Sequence, residues 1–567
     1  FLNKPELENI NAVLWSGAQT SGGGTGGGIA SILTGQISPS GRTVDTWYRD
    51  FAADPTFVNF GLACDPTAKT TSYTNVWGGY SFYQEGIYSG YRYYETRGYD
   101  EKQADPDSTW YEDNVNYPFG YGLSYTAFDW KLVESAPADG GNIAKGDKIS
   151  VTVEVTNTGS VAGKDVVQLY YTAPYYGTEQ DPGIEKAHVV LGGFEKTKLL
   201  QPGETQRLTI TMDADDMASY DYSDANHNGF KGYELEAGKY VLRIMRNSHE
   251  EVANVSCTLA ETIKYPSDVT EDENNNNLFD EVSNFLTDDL GKKYMSRSDF
   301  EGTFPKTVTG VALPDHYLAK LQSWNGAGGP PADEGQPYYS DSMPVTGKDN
   351  GIVLSDLYGL PYDDPMWEDY LDQFTADELE TLSAHGRYYA GQKWPQYGLD
   401  IEINTDGPGG IGYYQFHTDE YGEFTGKGFP QQSVLAATWN KELAYEEGKL
   451  IGNESIWGST KNGVRETVAG WYAPSSNIHR SPFGGRNGEY LSEDGFHSGT
   501  LNSLVVKGAR EYGLVTYVKH FAMNDMDTHR GGGNMWANEQ TMREVYFKGF
   551  ETVSYTHLRA HETLSDL

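Results

Sequence analysis

Residues 149–155 read Ile-Ser-Val-Thr-Val-Glu-Val, apolar at every odd number and polar at every even one. Period two places all four apolar side chains on one face of an extended strand, and a helix would scatter them. The pattern returns at residues 208–212 (Leu-Thr-Ile-Thr-Met) and 240–244 (Tyr-Val-Leu-Arg-Ile), with the turn formers Asn157-Thr158-Gly159 and Pro202-Gly203 between them. Several such strands in close succession predict an antiparallel β-sandwich of immunoglobulin-like or fibronectin type III shape, over residues 122–260.

The flanking segments have another texture. Residues 1–121 read as α/β: an apolar strand Ala12-Val13-Leu14-Trp15, a glycine-rich turn, a small helix at 29–33 and aromatic loops. Residues 261–349 are acidic and polar, with Glu271-Asp-Glu-Asn-Asn-Asn-Asn277 and Gly326-Ala-Gly-Gly-Pro-Pro331, and read as a long linker. From 350 to 553, helices at 376–384, 441–454 and 500–512 alternate with short apolar strands at 399–403, 470–473 and 514–518. That order predicts parallel β/α units and a partial (β/α)8 barrel, whose site would lie at the C-terminal strand ends. The fold class is therefore multidomain, α/β plus all-β, and a length of 567 residues suits three or four domains.

Composition narrows the partners. With 81 Asp+Glu against 42 Lys+Arg, the formal net charge is −39. Polyanions are held by Lys and Arg displacing counterions, so nucleic acid and anionic membrane surfaces are not expected partners. No run of about 18 apolar residues occurs, and the mean hydropathy is −0.60. Cys64 and Cys257 fit neither a disulfide framework nor a cysteine-rich zinc site, and read as buried small hydrophobes.

Several motifs are weak. Gly22-Gly-Gly-Thr-Gly-Gly27 satisfies a dinucleotide fingerprint, but so many glycines match by chance, and the following helix stops at Pro39. Asp224-Ala-Asn-His-Asn-Gly229 opens like a calcium loop, yet its twelfth position is Leu235 where a bidentate Glu is needed, so an acidic turn is expected. Neither H-E-x-x-H nor G-x-S-x-G occurs.

Denser chemistry sits at the three later strand ends. Asp406 follows the first, Arg486 lies in the loop after the second, and Lys519-His520 ends the third. Singly these read as a turn former, a partner of Glu489 and loop surface. Together on one rim they suit a polyhydroxylated sugar, since a carboxylate accepts two hydroxyl hydrogens while Lys, His and Arg donate to others.

These strings resemble glycoside hydrolase family 3, the β-glucosidase and β-xylosidase group. Ile37-Ser-Pro-Ser-Gly-Arg42 and Tyr91-Arg-Tyr-Tyr-Glu95 resemble its C-terminal α/β sandwich domain, and Pro118-Phe-Gly-Tyr-Gly-Leu-Ser-Tyr125 the entry to its fibronectin type III-like domain. Asp406-Gly-Pro, Gly485-Arg486-Asn with Tyr490-Leu-Ser-Glu-Asp494, and Lys519-His520-Phe-Ala with Thr528-His-Arg530 resemble its barrel domain. The order resembles a circularly permuted layout: residues 1–121 as a partial sandwich domain, 122–260, the linker 261–349, and 350–553 as a partial barrel.

The resemblance implies that Asp406, Arg486, Lys519 and His520 bind hydroxyls of the sugar in the −1 subsite, with Arg530 supporting that loop. Lys519-His520-Phe-Ala differs from the loop of the N-acetylglucosaminidase branch, which favours glucosidase or xylosidase chemistry. Where the family often has an Arg six residues after the binding Asp, this chain has Gly412. The family's retaining mechanism uses an Asp nucleophile and a Glu acid/base, two carboxyl groups about 5–5.5 Å apart. The only Asp-Trp pair, Asp129-Trp130, falls in the sandwich segment, so the nucleophile is expected outside the chain; the resemblance puts the acid/base upstream of Asn11, also outside it, and the chain is expected to be nearly inactive. Residues 554–567 leave the family pattern and read as a non-native tail, and Glu489, Glu493 and Asp494 read as structural.

The implied function is a retaining exo-β-glucosidase without metal or organic cofactor, with β-xylosidase as the close alternative. Its partners would be β-linked gluco- or xylo-oligosaccharides or aryl and alkyl glucosides, with a homodimer left open and the compartment undetermined. A second reading is a non-catalytic carbohydrate-binding protein, in which tyrosines such as those at 80–94 stack on sugar rings.

Overall fold

The computed structural model describes residues 12–17, 25–60, 80–265, 287, 291–307, 345–384, 394–399, 403–411, 428–457, 460–461, 464–465, 468–527 and 534–554. The alternating segment forms a sandwich of eight strands: β1 (Phe128–Ala136), β2 (Gly141–Ile143), β3 (Lys148–Asn157), β4 (Val166–Thr172), β5 (Val190–Lys196), β6 (Thr205–Asp213), β7 (Gly238–Met245) and β8 (Glu251–Leu259). One sheet runs β1-β3-β6 and the other β2-β8-β7-β4-β5. Ile149, Val151, Val153 and Val155 of β3 are all fully buried, as period two requires. On β6, Leu208 lies opposite Val153 and Ile210 opposite Val151, so paired strands feed one core. Cys257 is a free, buried member of that core, and Cys64 lies outside the described residues. Antiparallel pairing continues past residue 260, where Ile263–Tyr265 joins Gly232–Leu235. In the turn at 224–229, Asp224 accepts the amides of Asn228 and Gly229 at 2.9 and 3.0 Å, so the loop closes on itself.

Before the sandwich, helix α1 (Tyr91–Ala104) packs into an aromatic core. Tyr83, Tyr88, Tyr91, Tyr93 and Tyr94 are at most 4% exposed, which removes them as stacking surfaces for sugar rings. Aromatic richness marks either a face for ligands or a face for packing, and here it is packing. The small helix begins earlier than expected, spanning Thr25–Leu33, so half of the glycine-rich run is helical, while Gly22, Gly23 and Gly24 lie outside the described residues. Strand Tyr80–Phe82 pairs in parallel with Asn534–Trp536, tying the segment before the sandwich to the last third. In the stretch read as linker, residues 291–307 pack on α1: Arg297 makes two bonds to Asp100, at 2.8 and 2.7 Å, and Phe300 sits edge-on to Tyr88 and Tyr93.

The last third alternates as predicted: β9 (Ile403–Asp406), α2 (Lys441–Trp457), β10 (Val468–Tyr472), α3 (Gly495–Arg510) and β11 (Val515–Thr516). The strands form a parallel sheet in the order β9-β10-β11, and among the described residues it is not closed into a barrel. Several boundaries shift, two of them with a bearing on the site. Helix α3 starts at Gly495 because Asp494 caps it, accepting the His497 amide at 2.7 Å. Strand β9 runs to Asp406, which makes that residue the last of the strand. Helices α2 and α3 pack at backbone contact: a Cβ on Gly448 would fall 2.0 Å from the Val505 carbonyl oxygen, and one on Gly508 2.2 Å from that of Tyr445.

Buried polar contacts join the segments. The Arg480 guanidinium grips Glu85 at 2.6 and 3.1 Å with both side chains fully buried. Glu493 accepts the Thr46 amide and hydroxyl at 2.8 and 2.7 Å and the Tyr91 amide at 2.9 Å. Lys196 of β5 donates to the carbonyls of Ser40 and Thr438 at 2.9 and 2.5 Å. Each contact spans two or three of the segments, so none of them has its polar groups satisfied alone.

Candidate functional site

The parallel register sets where the strand ends fall. Asp406 lies opposite Tyr472, and Gly470 and Trp471 lie opposite Val515 and Thr516. The Trp471 indole donates to the carbonyls of Gly407 and Gly410 at 2.6 and 3.1 Å, fixing the loop that leaves Asp406. Beyond β11 the chain keeps its parallel course, with Ser475 bridged to Lys519 and the Ser476 amide bonded to the Lys519 carbonyl at 2.7 Å. Lys519 therefore emerges beside Asp406. The peptides Ala473–Pro474, Lys519–His520 and Phe521–Ala522 are cis.

Four of the five residues singled out from sequence converge. The Lys519 ammonium is 2.5 Å from Asp406 Oδ1 and 2.8 Å from Glu489 Oε1. Arg486 pairs through Nη2 with Glu489 and reaches Asp527 through Nη1 at 3.5 Å. The same Nη2 lies 3.3 Å from His520 Nε2. Asp406 keeps 28% of its side chain exposed and Lys519 12%, so the cluster is partly open to solvent. Arg530 lies outside the described residues, as does Gly412.

His520 is held as a neutral imidazole. Burial, aided by the nearby Lys519 and Arg486 charges, pushes its pKa down to about 4 despite opposing pulls from Glu489 and Asp406. The contacts agree: Arg486 donates toward Nε2, while Nδ1 lies 3.5 Å from the Tyr490 hydroxyl, which itself donates to the Asn524 carbonyl at 2.5 Å. That pattern fits a proton on Nδ1 and a lone pair on Nε2. Burial works against the Arg486 charge, but Glu489, Tyr490 and Asp527 outweigh it and raise its pKa. The Asn477 side-chain oxygen accepts the His520 amide at 2.8 Å and holds that backbone in place.

Sequence reasoning set Glu489 aside with Glu493 and Asp494. The latter two are buried between segments, where Asp494 also accepts the Tyr91 hydroxyl at 2.8 Å. Glu489 differs, standing in the cluster itself between both cations, with Ser475 donating to it at 3.3 Å. The spacing Arg486-x-x-Glu489 announces the arginine contact, which a turn closes through a 2.8 Å bond from the Glu489 amide to the Arg486 carbonyl, but not the bridge to Lys519. Asp527 had no signal of its own in the sequence.

Known proteins match this arrangement segment by segment. The glycosyl hydrolase family 3 C-terminal domain matches residues 2–125, the fibronectin type III-like domain residues 165–248, and the glycosyl hydrolase family 3 N terminal domain residues 417–557. Beta-glucosidase A of Butyrivibrio fibrisolvens is 32% identical over 563 residues, covering 94% of this chain and 59% of that protein. A beta-glucosidase of Ruminococcus albus is 30% identical over 552 residues, covering 95% of this chain and 48% of that protein. The crystal structure of a beta-glucosidase from Paenibacillus barengoltzii superposes with a TM-score of 0.63 at 28% identity, covering 93% of this chain and 50% of that one. The chain thus spans 48–59% of the length of these two sequence relatives. With its C-terminal-type domain preceding the sandwich and its N-terminal-type domain following it, this chain belongs to the family 3 glycosyl hydrolases.

Proposed function

We propose that the rim formed by Asp406, Arg486, Lys519 and His520 binds the terminal non-reducing glucosyl unit of small β-glucosides, and that the whole protein is a retaining exo-β-glucosidase. The observation that carries this reading is the Lys519 ammonium held between Asp406 and Glu489 at the ends of successive parallel strands. An ammonium has three hydrogens; two go to these carboxylates, and the third is left for a sugar hydroxyl. Asp406 keeps 28% of its side chain exposed, so its carboxylate is within reach of neighbouring hydroxyls. A neutral His520 suits a sugar better than an imidazolium, because a neutral ring at this rim adds no third positive charge beside Lys519 and Arg486. The beta-glucosidase names of the matched relatives put glucose ahead of xylose. Within this reading Asp406, Glu489 and Asp527 are each engaged by a cation and serve binding, and none is the nucleophile or the acid/base.

Calorimetric titration with glucose tests the reading. Asp406→Ala removes charge-assisted bonds to hydroxyls worth about 1.5–3 kcal/mol each, and should weaken glucose at least about 100-fold. Unchanged affinity in that variant would refute the site. Xylose titrated into the unaltered chain decides between the two sugars, glucose binding more tightly on this reading.

A further inference from the structure

Glu489 is the carboxylate that touches both cations of the rim. One oxygen takes the Lys519 ammonium at 2.8 Å, the other takes Nη2 of Arg486, and Ser475 donates to the first at 3.3 Å. The lysine comes from the end of β11 and the arginine from the loop after β10, so nothing in the local chain sets the spacing between their head groups. Glu489 itself is tied to Arg486 by the turn between them. Its side chain is 16% exposed, shielded enough for a charge-assisted bond to fix geometry.

We propose that Glu489 is a positioning residue for the sugar site: its two oxygens hold Lys519 and Arg486 at a fixed separation, so that both cations present their remaining donors to one ring. This rests on the sugar-binding reading of the rim. Without the Glu489 charge, Lys519 and Arg486 would repel each other, and each would be left to its other carboxylate, Asp406 for Lys519 and Asp527 for Arg486. Glutamine keeps the shape of the side chain but presents an amide NH2 to one of the two cations. Aspartate keeps the charge and is one methylene short, so it can reach one cation well and the other poorly. A residue that only fills space or closes the turn would show the reverse order, with glutamine the better replacement.

The test is glucose affinity by calorimetry for the unaltered chain, Asp406→Ala, Glu489→Gln and Glu489→Asp, with melting temperature and the NMR titration of the His520 imidazole recorded for each. Glu489→Gln should weaken glucose about tenfold while melting within about 2 °C of the unaltered chain, and Glu489→Asp should fall between the two. In Glu489→Gln the His520 midpoint should drop below its starting value of about 4, because Glu489 favours the protonated ring. Unaltered affinity in Glu489→Gln, with binding lost in Asp406→Ala, overturns the role of Glu489 and leaves the site standing. Unaltered affinity in Asp406→Ala overturns both. Should Glu489→Gln fail to fold, the aspartate variant decides alone, since affinity equal to the unaltered chain in a folded Glu489→Asp removes the need for a two-cation bridge.

Discussion

In the sandwich, Ile149, Val151, Val153 and Val155 send alternate side chains into a single apolar core, and their polar neighbours face outward. In the parallel unit, Asn404, Thr405, Ser475, Ser476 and Asn477 are as deeply buried, at 0–1% exposure, and every one is polar. Burial of the first kind is held by area removed from water and needs no specific partner. Burial of the second kind is held by partners found for donors and acceptors, because an unmade bond in the interior costs about 1–3 kcal/mol. Such partners come from separate elements of the last third: Asn502 of α3 donates to the Ser475 carbonyl and the Ser476 hydroxyl at 2.9 and 2.8 Å, and Gln432 accepts the Ser475 amide at 3.0 Å. The polar region can therefore present an ordered rim of charges, and it depends on its neighbours for that order.

The contrast is sharpest where a single residue can break it. Arg480→Met should strip the fully buried Glu85 of its partner and destabilise the chain by about 4 kcal/mol, the largest effect expected, because an unpaired charge remains inside. Denaturant unfolding monitored by intrinsic fluorescence measures it, and a loss under about 1 kcal/mol would show that the polar interior does not depend on this pair. Leu242→Ala in the sandwich should cost about 3 kcal/mol through lost burial and a residual cavity, while leaving glucose affinity unchanged. A change in affinity there would mean that the sandwich core and the rim are coupled.

Glu447 gives the mildest test, with the sign set by pH. It lies on the buried face of α2 against α3, and burial pushes its carboxyl up to about 8. Below the ordinary carboxyl range both folded and unfolded forms are protonated, and the group contributes nothing. As pH rises from about 4.5 toward 8, only the unfolded form ionises freely, so stability is lost across that window. Glu447→Gln should therefore gain on the order of 2–3 kcal/mol at pH 6.5 and close to nothing at pH 4. Melting curves at the two pH values check it, and equal shifts at both would reject the assignment.

The same contrast decided how much could be read before folding. Period two in 149–155 announces a strand and names its buried face without knowledge of any partner. Asp406, Arg486, Lys519 and His520 were legible because residues following short apolar strands in β/α units gather at one edge of a parallel sheet. Glu489 was not, since a carboxylate three residues from an arginine looks the same whether it faces water or bridges to a lysine on another strand. Nor was the Glu85–Arg480 pair, whose members are 395 residues apart. The tyrosines at 80–94 left a second reading open because aromatic richness carries no information about which side is covered, and burial of Tyr83, Tyr88, Tyr91, Tyr93 and Tyr94 closes it.

By itself the sequence determined the local order of this protein: which stretches extend, which coil, and which polar residues end the strands of the last third, because those depend on the spacing of neighbours along the chain. Tertiary structure alone decided that Lys519 stands between Asp406 and Glu489, that His520 is neutral, and that tyrosines are core. Each of those depends on distances and desolvation between residues far apart in sequence, and electrostatic energy takes its sign and size from such distances rather than from residue type.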